Sequence, residues 1–190
     1  MATSGRADAG FSLVEVLVSI AVLSVGLLGS IGMLLTAVRT GKEAATFAAA
    51  VNLARDLSEK VRMNPGVAAR TDAANTYLVA SWTADGDASA DAGGECTAAA
   101  CNPQSLAAWD MNEWKRRVAK ALPGARLSVC FDDKPWNASV GEYEWACSQS
   151  GSSVVVKLGW VPHADAANAK HNGEPQRESP PRLVMQLVSG

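Results

Sequence analysis

Residues Val16 to Val38 form an unbroken run without a single charge, VLVSIAVLSVGLLGSIGMLLTAV. As a helix rising ~1.5 Å per residue, such a run is about 35 Å long, enough to cross a bilayer. A cleaved secretory signal has a shorter apolar region, about 7–15 residues, followed by a small-residue cleavage site. No such site ends this run. The run therefore predicts a membrane helix that stays in the product. Over the whole chain, 48% hydrophobic and 19% charged is too apolar for a disordered chain. The formal net charge of −2 gives no electrostatic case for a nucleic-acid partner. Two histidines and no repeated His/Cys spacing leave little material for a metal centre, and no cofactor is expected.

The flanks of the run are distinctive. Ten mostly polar residues, MATSGRADAG, come first, and GFSLVE follows across their boundary. Glu15 thus stands at the entrance to the apolar helix. A carboxylate at a helix centre costs on the order of 2.5–3.5 kcal/mol on insertion scales, less near an end, so its presence there is a functional signal.

G-F-S-L-V-E, with a short polar leader before it and a long apolar helix after it, is very similar to a type IV prepilin N-terminus. The resemblance implies cleavage by prepilin peptidase after Gly10, then N-methylation of the new terminus, Phe11. It also implies that Glu15 forms an assembly charge pair with the N-terminal amine of a neighbouring subunit. Two unlike charges in a low-dielectric medium are costly alone and far less so together, so such a pair would set axial register. The stretches NLARDLSEKVRMNP and CNPQSLAAWDMNEWKRRVAKALPGARLSV follow in an order that resembles the PilV-like minor pilins, the type IV pilus modification proteins. That resemblance covers roughly residues 10–130. It implies a pilin-like α+β fold, with a long N-terminal helix packed on a small antiparallel sheet beside a second, short helix. The implied partners are prepilin peptidase, the other minor pilins, the major pilin, a large tip adhesin and inner-membrane lipid, with no nucleic acid.

Four regions are expected: a leader over 1–10, a transmembrane and assembly helix over 11–38, an amphipathic half over 39–64, and a periplasmic head over 65–190. Phe47, Val51, Ala54, Leu57 and Val61 recur at three- and four-residue steps and predict the buried face of the amphipathic half. Asn64-Pro65-Gly66 ends it. Residues 67–104 read as a long loop with a short strand at Tyr77–Trp82, and the acidic stretch Asp85–Asp91 reads as solvated. Asp110-Met-Asn-Glu113 reads as a capping box opening a helix from Met111 to Leu122. Its basic cluster, Lys115, Arg116, Arg117 and Lys120, reads as a solvated face. Strands are expected at Arg126–Phe131, Glu142–Cys147, Ser153–Val161 and Arg182–Val188, with a Pro-rich loop over 162–181. Asp132-Asp133 reads as a turn.

Cys96, Cys101, Cys130 and Cys147 all follow the apolar run, and four cysteines allow three pairings. Cys96–Cys101 would close a small loop, and Cys130–Cys147 would join two strand-like segments worth roughly 3 kcal/mol by loop closure. C-x₄-C spacing does not suit zinc. Arg6 before the helix against Arg39 and Lys42 after it would, by a plain charge count, leave the head in the cytoplasm. The prepilin resemblance and the cysteines point to the periplasm instead. Gly26, Gly29 and Gly32 recur every three residues and read as a site of helix flexibility or of close helix packing. No G-x-S-x-G, P-loop or H-E-x-x-H motif supports an enzyme. The resulting expectation is a minor pilin that primes or tips a type IV pilus. Its rivals are a type II secretion pseudopilin and a signal-anchored periplasmic module that binds DNA or another ligand.

Overall fold

A computed structural model describes residues 12–84, 96, 100–162 and 179–189, with side chains through Leu187. The leader, Phe11, the Asp85–Asp91 stretch, His163 and His171 lie outside the described residues. The chain divides into two compact units, Met1–Gly41 and Lys42–Gly190.

Helix α1 spans Leu13–Met63 and stops before Asn64-Pro65, where Pro65 opens the single turn α2, Pro65–Ala68. Pro lacks an N–H to continue a helix but suits a first helical position, which explains both the stop and the restart. Strand β1 is Val79–Thr83, helix α3 is Pro103–Ala121, and β2 is Arg126–Phe131. A two-residue pair follows, β3 (Trp136–Asn137) and β4 (Glu142–Tyr143), then β5 (Ser153–Gly159) and β6 (Leu183–Ser189). The main sheet has the antiparallel order β1-β2-β5-β6. β3 and β4 pair only with each other. This is the α+β arrangement expected.

Alternation along the strands decides the two faces. Leu127 and Val129 of β2, Val154, Val156 and Leu158 of β5, and Leu187 of β6 enter the core. They meet Ala50, Leu53, Ala54, Leu57 and Val61 of α1 and Ala107, Met111, Trp114 and Val118 of α3. The two helices are tied to each other by polar contacts as well. Trp114 Nε1 donates to the Leu53 carbonyl at 2.8 Å, Lys60 pairs with Asp110, and Arg117 pairs with Asp56.

Several expectations shift. The buried face of α1 also takes in Thr46, Ala50, Leu53 and Ser58, while Phe47 is exposed and Val51 only partly buried. Polar residues hid this face: Ser58 Oγ donates to the Leu187 carbonyl and Thr46 Oγ1 to that of Lys42, so neither hydroxyl demands water. Helix α3 begins two turns earlier than Met111. Asn102 caps it, its Oδ1 accepting from Ser105 N at 2.8 Å, and Pro103 follows. Asp110 is therefore no cap but a buried partner of Lys60 inside the helix. The first strand starts at Val79, with Tyr77 buried before it.

The largest correction falls on Glu142–Cys147, which adds no strand to the main sheet. Beyond Tyr143 the chain becomes a strap across the outer face of β2 and β5. Gly159 makes room for it: a Cβ there would lie 2.8 Å from the Trp145 ring. Arg126 covers that ring at 4.3 Å from its centroid. Aromatic spacing that resembled a strand serves here to seat a loop.

Candidate assembly helix and the strapped head

No residue from Leu13 to Gly41 is buried. The side chains of Leu17, Val18, Leu23, Leu27, Leu28 and Met33 are each more than half exposed, on all sides of the helix. A helix apolar all round finds no favourable surroundings in water and belongs among lipids or other helices. Among the described residues it is the single helix long and apolar enough to cross a membrane.

Its polar groups are handled internally. Ser19, Ser24, Ser30 and Thr36 donate to the carbonyls four residues back, Glu15, Ile20, Gly26 and Gly32, at 2.7 to 3.1 Å. In hydrocarbon every such group must find a partner within the protein, and these do so without another chain. Glu15 sits in the first turn, its own N–H donating to the Ser12 carbonyl at 3.0 Å. A carboxylate there is favoured by the helix dipole. A Cβ at Gly26, Gly29 or Gly32 would meet nothing within 4 Å, so this chain's own fold does not require glycine at any of them.

The head carries its own polar centre, which sequence reading missed. Lys157, fully buried, and Asp132, 2% exposed, lie on the outer face of the sheet under the strap. Lys157 Nζ stands 2.6 Å from Asp132 Oδ2, a contact ionic rather than well directed as a hydrogen bond. Nζ also donates to the carbonyls of Glu144 and Ala146, both at 2.7 Å. Asp132 Oδ1 accepts from the backbone of Lys134 at 3.0 Å and of Ser148 at 3.4 Å. Burial pushes the Asp132 carboxyl up, but the close contact with Lys157 Nζ, the charge of that ammonium and these N–H groups outweigh it and hold the group below the ordinary aspartate range. One clue was available: a lysine in the middle of the valine-rich strand VVVKLG needs a buried counter-charge.

Disulfides join Cys96 to Cys101 and Cys130 to Cys147. Asp132 and the two sulfurs of Cys130 and Cys147 cluster within 4.8 Å, but the disulfide occupies the sulfurs and Lys157 the carboxylate, so this set does not suit a metal ion. Two of the basic residues of α3 are engaged: Arg116 pairs with Glu113 at 2.6 Å and Arg117 with Asp56.

Two family models match this chain. The type IV pilin Tt1218 model matches residues 32–112. The prokaryotic N-terminal methylation motif matches residues 5–37, taking in the Gly10–Phe11 junction, Glu15 and the three glycines. Both support a type IV pilin. No curated protein and no solved structure is significantly similar to the chain. For a pilin subunit, the exposed apolar helix fits membrane anchoring and a pilus, and the methylation motif suggests prepilin processing and association with other pilus components. A structural-protein family of this kind suggests no enzyme.

Proposed function

We propose that this pilin is a minor pilin, inserted into a type IV pilus through α1 to prime assembly or occupy the tip. The observation that carries the reading is a helix exposed and apolar on every side, with one carboxylate in its first turn. Prepilin peptidase cuts after Gly10, and Phe11 becomes the methylated terminus. Before assembly the helix over 11–38 holds the subunit in the inner membrane, and the head following the amphipathic half at 39–64 lies in the periplasm, where disulfides persist. In the fibre Glu15 meets the amine of a neighbour, and other minor pilins, the major pilin and a large tip adhesin are the partners.

The mass of the mature N-terminal peptide tests processing: a monomethylated peptide starting at Phe11 is expected, and an intact leader would end the reading. Sheared fibres then separate the roles. A minor pilin appears there far below the major subunit, whereas a pseudopilin appears in the secretion complex and not in fibres. The ion pairs already made by Arg116 and Arg117 speak against the ligand-binding module, whose case rested on that basic helix.

A further inference from the structure

The contacts around Cys147 enclose it from both sides. Lys157 grips the carbonyl just before it, Ala146, and that of Glu144. Asp132, two residues beyond Cys130, accepts from the backbone N–H just after it, Ser148. Gln149 N–H donates to the Phe131 carbonyl at 3.1 Å, and Ser128 Oγ lies 3.6 Å from Cys147 Sγ. Each of these groups lies within three residues of one cysteine, or on the strand paired with β2. Apart from the Ser128–Cys147 contact, which engages the sulfur itself, none requires the S–S bond in order to form.

We propose that the buried Lys157–Asp132 pair chooses the partner of Cys147: it docks the strap on the sheet while the thiols are still reduced, so Cys130 is the thiol within reach. Chain statistics alone choose poorly. Cys101 and Cys96 are about three times farther along the chain from Cys147 than Cys130 is, which gives Cys130 an advantage of only about fivefold. A docked strap makes the choice close to absolute.

The chemistry is ordinary exchange with an external disulfide as oxidant. The Cys147 thiolate attacks the oxidant, forms a mixed disulfide and releases one thiol. The Cys130 thiolate then attacks the Cys147 sulfur and releases the second. Two electrons pass from the cysteines to the oxidant, and the two protons they lose end on the two released thiols. Lys157 and Asp132 act as positioning residues and exchange no electrons.

The test refolds the full reduced chain in detergent micelles with oxidised and reduced glutathione and maps the disulfides by proteolysis and mass spectrometry. In wild type Cys147 should pair almost solely with Cys130. Lys157→Met should raise Cys147 pairing with Cys96 or Cys101 at least fivefold, towards the statistical level. The double variant Asp132→Asn/Lys157→Met, which leaves no unpaired buried charge, should do the same. A pairing pattern identical to wild type in the double variant would overturn the proposal. A second measurement avoids refolding altogether. In Cys130→Ser/Cys147→Ser protein, hydrogen exchange at Ser148 and Gln149, whose amides donate to Asp132 and to the Phe131 carbonyl, should remain slowed, and adding Lys157→Met should release those amides while Val156 stays protected. If the strap amides of the serine variant already exchange like an unfolded peptide, the disulfide alone holds the strap and the inference fails.

Discussion

Helix α1 solves two problems with one backbone. Between Thr46 and Val61 each buried side chain has a fixed neighbour: Leu53 offers its carbonyl to Trp114, Ser58 reaches Leu187, and Lys60 pairs with Asp110. Between Leu13 and Val38 no side chain is buried and the hydroxyls bond back to their own helix. The first segment is specified from within the chain. The second is left for surroundings to specify, and among the described residues Glu15 is its single charge. A helix can therefore be ordered by its own fold along one stretch and by its neighbours along another, with no change of backbone conformation.

The comparison breaks most sharply at Glu15. Glu15→Val should lower incorporation into fibres at least tenfold, since an ion pair lost in low dielectric is worth several kcal/mol. Insertion and head stability should be unchanged. Blots of sheared fibres, beside membrane fractions, check this, and normal incorporation would sink the charge-pair role. In the head the expected effect is on folding. Trp114→Ala removes a fully buried ring and its hydrogen bond and should cost about 3–5 kcal/mol in denaturant unfolding. Leu27→Ala, in the outward-facing stretch, should leave the same transition within about 0.5 kcal/mol. Equal losses would mean that both segments fold as one unit.

The third effect depends on pH. The Asp132 carboxyl is held below its ordinary range in the folded chain, so the stability it contributes is complete above the unfolded value, about 3.9. It is lost as the pH falls through the lower folded value. Unfolding free energy should therefore fall more steeply below about pH 4 in wild type than in Asp132→Asn, with no difference in slope between pH 5 and 7. A steeper acid slope in the variant would reverse the assignment. The smallest effect on the folded monomer belongs to the glycines. Replacing Gly26, Gly29 and Gly32 together by alanine meets no clash and should stiffen the helix by about 1 kcal/mol per site. Hydrogen exchange over 24–32 should slow, insertion should persist, and fibre incorporation should drop. Exchange no faster there than over 16–22 in the parent chain would leave the glycines as a packing surface only.

The apolar helix was legible from its unbroken uncharged length, and β2, β5 and β6 from short apolar runs bounded by turn residues. The strap was not. Tyr143, Trp145 and Cys147 alternate as strand residues do, and Gly159 on another strand is what leaves room for the Trp145 ring against the sheet. The start of α3 was written plainly in Asn102-Pro103, but Asp110-Met-Asn-Glu113 offered a rival signal that the fold turns to an ion pair. Asp132 and Lys157 carry no local pattern at all. They meet because β2 and β5 are neighbours, a fact of topology. Gly10, Phe11 and Glu15 lie within the stretch that the N-terminal methylation motif matches, and their signal is a short local motif rather than a pattern of packing.

The anchoring of the long segment between β5 and β6 has an engineering consequence. On its near side Val161 N–H is fixed to the Pro123 carbonyl at 2.8 Å. On its far side Trp145 Nε1 holds the Ser179 carbonyl at 2.7 Å, and Arg182 N–H holds that of Leu158 at 2.8 Å. With entry and exit secured separately, the length between them is nearly decoupled from the register of β6: doubling it costs only about 0.6 kcal/mol in closure entropy. Lengthening the chain between those anchors should therefore leave β6 in register with β5.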